Sequence, residues 1–191
     1  MMRILLALAI VLALAGSGAA QEDPYRDAVG RLRLLTSRAD LTPENEFLHE
    51  QIGLLIERCR RAPAGSFHAE RLALAMKDLL DASERVVEAR VARPNDDRSE
   101  EMRFLMARDL ERTYFRIQQG DYFARQSQGA SGSQYVRVAR RLYQIARAAY
   151  DEREYARVRL LSEASRDIIM GVERLAQSEM GVPDPPRLPE G

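Results

Sequence analysis

The chain has 191 residues, with 29 Lys and Arg against 29 Asp and Glu, and a formal net charge of zero. That balance excludes a global field drawing it to nucleic acid or to a membrane surface. One cysteine and two histidines exclude an internal disulfide framework and leave few ligands for a metal.

In chain order the first predicted element is a leader. Arg3 precedes an apolar run, Ile4 to Ala15, which gives way to the small residues Gly16-Ser17-Gly18-Ala19-Ala20. A basic start, a short apolar run and a small-residue end make a secretory signal peptide over 1–20. The run falls short of the roughly twenty residues that span a bilayer. Ser17 stands where a lipoprotein signal needs its cysteine. The expectation is cleavage after Ala20 and export to the periplasm or beyond, with no lipid and no integral membrane segment.

The remainder is expected to be one helical domain over 21–180 and a flexible Pro-rich tail over 181–191. Apolar residues recur at helical spacing and no stretch alternates as a strand would. The first helix is predicted from about Pro24 to Ala39, on Tyr25, Ala28, Val29, Leu32 and Leu35. Thr42 and Pro43 open the second, which runs to Arg61; Thr caps and Pro suits the first helical position. On it, Leu48, Ile52, Leu55 and Cys59 share a face, so Cys59 is expected to be a buried, inert thiol. The third follows Ser66 and ends near Ala92. The fourth follows Ser99, carries Met102, Met106, Leu110, Tyr114 and Ile117, and continues past Gly120 to about Gln128. Gly129-Ala130-Ser131-Gly132-Ser133 reads as a flexible break. The fifth runs from about Gln134 to Tyr150 and the sixth from about Glu154 to Met180. Short connections favour antiparallel neighbours. The fold expected is therefore all-α, an antiparallel bundle of five to six helices. Glu22/Arg26, Asp27/Arg31, Glu57/Arg61 and Asp81/Arg85 are acid-then-base pairs at i,i+4, expected on solvent faces.

Eight of the twelve Tyr and Phe residues lie between Tyr114 and Tyr155, and ten Arg stand against four acids from Arg112 to Arg159. On the fifth helix Arg137, Arg140, Arg141, Gln144 and Arg147 form one basic stripe, with Tyr143 beside it. Tyr and Arg are the residues enriched at binding hot spots, which makes Arg137, Arg140, Arg141, Tyr143 and Arg147 the candidate surface for an acidic protein partner. The same pattern also fits a solvated helix face with the aromatics in the core.

The stretch Ala146, Ala149-Tyr150, Tyr155-Ala156 and Ala164 resembles a tetratricopeptide repeat, in which small and aromatic residues let two antiparallel helices pack around a short turn. The likeness covers Tyr114 to Leu175, with Gly120-Asp121-Tyr122 and Arg153-Glu154-Tyr155 as turns 33 residues apart. It departs from the pattern at Arg153, where the turn glycine belongs. Leu41-Thr42-Pro43-Glu44-Asn45 resembles the Leu-Thr-x-x-Gln signature of periplasmic helical stress proteins, some of them chaperones. Asn45 replaces the Gln, and no second copy exists.

For chemistry the sequence offers little. Glu46-x-x-His49 puts two ligands on one helical face, but a di-iron bundle needs a second such motif, and His68 has Gly65 in that place. His49 is then expected to be partly exposed. There is no His-Glu-x-x-His, no Cys-x-x-Cys-His, no Gly-x-Ser-x-Gly and no Walker loop around Lys77. Asp96-Asp97 and Glu100-Glu101 flank a helix start, where acids suit the positive helix end. The expectation is no catalytic residue, no metal and no cofactor. It is a non-enzymatic exported scaffold or adaptor binding another cell-envelope protein through its C-terminal helices, without nucleic acid. A periplasmic chaperone-like or stress-response role is the alternative.

Overall fold

The computed structural model describes residues 25–38, 41–93, 99–126 and 131–180. Within them lie six helices and no strand: α1 Arg26–Thr36, α2 Pro43–Arg61, α3 Phe67–Val91, α4 Glu100–Gln126, α5 Ser131–Asp151 and α6 Tyr155–Met180. The leader, the tail and the start expected at Pro24 lie outside the described residues. None of the six helices is long and apolar enough to cross a membrane.

Local chemistry sets the helix ends. Thr42 Oγ1 accepts from the Asn45 N–H at 3.2 Å, with Pro43 following it. Ser66 Oγ accepts from the Ala69 N–H at 3.1 Å, and Ser99 Oγ from the Met102 N–H at 3.2 Å. Each hydroxyl satisfies an amide that a helix start would otherwise orphan. The α5–α6 turn is a Schellman motif: the Arg153 N–H reaches the Tyr150 carbonyl at 3.0 Å and the Glu154 N–H the Ala149 carbonyl at 2.8 Å. Arg153 takes φ of 60° there, a conformation usually left to glycine.

The core is built on α6. Fourteen of its 26 residues are buried, against five of 27 in α4, so α6 is the enclosed helix and α4 an outer one. α3, α4 and α5 all pack on α6, α4 also packs on α5, and α1 and α2 pack on α3 and on each other, with α2 also reaching α5 through Phe47 and Tyr135. α3 runs antiparallel to α6, as Arg85–Asp167 (2.6 Å) and Asp78–Arg174 (2.5 Å) fix their register. α5 is antiparallel to α6, with Ser165 Oγ donating to the Ala139 carbonyl at 3.1 Å. α4 runs parallel to α6, tied by Arg166–Asp109 at 2.7 Å and by Arg116–Glu173. Two glycines permit close approach. A Cβ on Gly120 would lie 2.5 Å from Ile169 Cδ1, and one on Gly171 3.2 Å from Leu79 Cδ2.

Four expectations are corrected. The break expected over 129–133 is corrected where it is described: Ser131, Gly132 and Ser133 form the first turn of α5, where glycine's helix penalty falls on a single position of a long helix, and residues 129 and 130 lie outside the described residues. Gly120 is no turn but an interior residue of α4, because Ile169 fills the space its missing side chain leaves. The spacing of 33 residues therefore does not repeat a helical hairpin. Arg31 and Arg85 do not lie on solvent faces with their i−4 acids. Arg31 bridges Asp81 at 2.6 Å and Glu84 at 2.8 Å, and Arg85 bridges Glu163 at 3.1 Å and Asp167 at 2.6 Å. Of the expected pairs Glu57–Arg61 forms locally, at 3.9 Å, and Glu22 lies outside the described residues. His49 is 3% exposed rather than partly exposed, since α3 covers that face of α2.

Candidate functional site

Heptad-like apolar spacing on α5 buries Tyr135, Val136, Ala139, Leu142, Ala146 and Ala149. The opposite face then carries Arg137, Arg140, Arg141, Gln144 and Arg147, all exposed. Tyr143 sits at the edge, half-buried, its ring 6.2 Å from that of Tyr114 on α4. The five residues singled out from the sequence thus fall on one outer side of α5, between α4 and α2. Arg140 leans to α4 and pairs with Asp121. Arg141 leans to α2, 4.0 Å from Glu44. Arg137 and Arg147 are exposed on the same side.

α4 supplies the rest of the face. Its inner line, Met106, Leu110, Thr113, Ile117 and Gly120, is spent on the bundle. Its outer line leaves Phe104, Phe115 and Tyr122 at 61%, 59% and 61% exposure, with Leu105 and Tyr114 beside them. Tyr114, expected in the buried seam, is displaced from it by Thr113, whose hydroxyl donates to the Asp109 carbonyl at 2.8 Å and accepts from Arg166 at 2.7 Å. The aromatics of 114–155 divide accordingly. Tyr135 and Tyr155 are core, Phe123, Tyr143 and Tyr150 are half-buried, and Tyr114, Phe115 and Tyr122 are exposed. Phe104 and Leu105 lay outside the window read from sequence. Their signal was present as a second apolar series, Phe104, Phe115 and Tyr122, at i, i+11 and i+18, spacings that return to one face of a helix.

Charge on this face is segregated. From Arg108 to Arg125 on α4 and from Arg137 to Arg147 on α5, seven exposed arginines stand against one exposed acid, Glu111. The other exposed acids of the two helices, Glu100, Glu101 and Asp151, gather where α4 begins and α5 ends. Guanidinium groups bind carboxylates in a fork and stack on rings, and Arg108 already lies 5.8 Å over the Phe104 ring. Such a surface can recognise anionic and apolar groups together. It carries no histidine or cysteine among the described residues.

The titratable core lies elsewhere. His49 Nε2 and Ser83 Oγ are 2.8 Å apart, and the Ser83 hydroxyl is 3.4 Å from Asn45 Oδ1. Nucleophile and base are paired, but Asn45 and Ser83 are fully buried, so no substrate atom reaches the hydroxyl in this conformation. Burial holds His49 down to about 4. Asp167 is pushed up to about 7 by burial, with Arg85 opposing and Asp81, Asp78 and Glu163 adding to the rise. Cys59 is buried and its thiol is raised by burial. His68 Nδ1 lies 3.1 Å from the Ser178 carbonyl and joins the start of α3 to the end of α6. Among the described residues no three His, Cys, Asp or Glu side chains converge on one metal position.

Comparison of the chain with protein-family models, with curated proteins and with solved structures finds no match in any of the three.

Proposed function

We propose that this chain is an exported, non-catalytic helical adaptor that binds an acidic envelope protein through the outer face of α4 and α5. One observation carries the reading: seven exposed arginines, interleaved with exposed Tyr114, Phe115 and Tyr122, face solvent together. Folding does not need them there, since both helices already bury an apolar line. Arginine and aromatic side chains dominate binding energy at interfaces, and local charge of one sign steers a partner of the other. Export rests on the leader at 1–20, and the envelope location of the partner follows from it.

Photo-crosslinkers at positions 140 and 143, introduced in the native host, are expected to trap one dominant protein. Reversing Arg137 and Arg147 to Glu, two exposed positions away from the core, is expected to cut its affinity about tenfold and flatten the salt dependence of binding. No partner above background at either position would overturn the reading.

The exposed rings of α4 also favour a chaperone-like reading. It predicts that the purified protein suppresses aggregation of a denatured model client whatever the client's charge. Suppression that is unchanged by the double Arg→Glu reversal would favour the chaperone over the adaptor.

A further inference from the structure

We infer that the outer line of α4 is a track for one acidic amphipathic helix of the partner protein. The inference rests on the reading that the α4–α5 face binds a partner, and it names what lies on α4. Phe104, Phe115 and Tyr122 fall within about 20° of one line at 100° per residue, and the line runs about 27 Å along the axis at 1.5 Å per residue. All three are about three-fifths exposed. A helix that packs on its neighbours through Met106, Leu110 and Ile117 has no folding use for a second apolar line. Helix-in-groove recognition uses apolar anchors of this kind, spaced by whole turns.

Charge selects the occupant. Arg108, Arg112 and Arg125 flank the line, and Glu111 is the one exposed acid of α4 between residues 102 and 126. The complement is a helix with Asp or Glu on both shoulders of its apolar stripe. Glu111 lies on the line itself, between Phe104 and Phe115. Pressed into lipid it would be a desolvated, unpaired carboxylate; against a helix, one basic residue of the partner satisfies it. A second copy of this chain does not fit, because among the described residues from 25 to 93 eight exposed cations outnumber five exposed acids. α4 laid on another α4 would also set arginines against arginines.

The test places p-benzoylphenylalanine at position 115 of the full chain in its native host, irradiates, and sequences the trapped peptide. The expected adduct is one acidic segment whose apolar residues recur every three to four positions, with a single Lys or Arg near its first anchor. Its yield is expected to fall roughly fivefold in Phe104→Ser/Tyr122→Ser and in Arg108→Glu/Arg112→Glu, since loss of a hot-spot pair weakens binding by at least that much. These positions are on the surface, and far-ultraviolet circular dichroism checks that the variants stay folded. A lipid adduct, a second copy of this chain, a neutral or basic peptide, many unrelated peptides or no adduct would each overturn the track. Position 140 separates the two claims. A protein trapped at 140 while 115 fails sinks the track and leaves the adaptor; silence at both sinks both.

Discussion

Arg153 stands at the left-handed C′ position that closes α5, with φ of 60°. A side chain there costs roughly 1 kcal/mol that glycine avoids, partly offset by glycine's greater freedom in the unfolded chain. Arg153→Gly is therefore expected to stabilise the protein by about 0.5 kcal/mol, read as a rise in the urea midpoint with unchanged slope. A fall in the midpoint would mean that the arginine side chain contributes more than its backbone costs. A larger effect belongs to His49. Its pKa is about 4 when folded against about 6.5 when unfolded, so the unfolded chain binds more protons between those values. Stability is then full above pH 6.5 and declines as pH falls to 4, by about 3 kcal/mol at the limit. Asp167 acts in the opposite sense: raised to about 7, it favours the folded state at low pH and loses that contribution as pH rises through 7. Comparing His49→Gln with the parent across pH 4–7 isolates the histidine, and the variant should show the flatter acid limb. Parallel curves would show that His49 does not titrate between the two states.

At the scale of elements, helix starts were the most legible feature. Thr42, Ser66 and Ser99 each cap the helix read from them, because a cap is a contact between residues three apart. What escaped was wherever two helices decide together. Arg31 and Arg85 had local acids at the right spacing, yet their long side chains reach Asp81, Glu84, Glu163 and Asp167 on other helices. Partly buried pairs, bidentate at Arg31–Glu84 and shared between two acids at Arg85, outweigh an exposed i,i+4 pair worth a few tenths of a kcal/mol. Gly120 is a turn only in the tetratricopeptide resemblance; the helix read through it forms, and its role is the contact with Ile169. Gly120→Leu should cost about 1–3 kcal/mol by overpacking the α4–α6 seam, visible as a lower thermal midpoint. Gly120→Leu with Ile169→Ala should recover part of that loss. No recovery would show that the strain lies in the backbone and not at Ile169. The α4 track was half-legible. The period was in the sequence, but a helix with two apolar lines reads as one buried all round, and only the packing shows which line is left outside.

The whole molecule is unequal in how its parts are held. α6 is enclosed by α3, α4 and α5, while α1 packs mainly on α2 and α3 and has eleven residues. Its anchors are Leu32 and Leu35 in the core and Arg31 on Asp81 and Glu84. Elements with few neighbours open by themselves at a lower free energy than the global transition. Amide hydrogen exchange is therefore expected to be slowest in α6 and markedly faster in α1, with α4 intermediate because its Asp109 and Arg116 pair with Arg166 and Glu173 of α6. Arg31→Ala should raise α1 exchange about fivefold, the factor that about 1 kcal/mol gives for half-exposed pairs, and leave α6 untouched. Equal acceleration in both helices would mean that α1 opens only with the entire bundle. The difference bears on binding. A partner seated on α4 and α5 meets the half of the molecule that is pinned to α6, so the face is presented with little to reorganise, and less of the interaction energy is lost to ordering it.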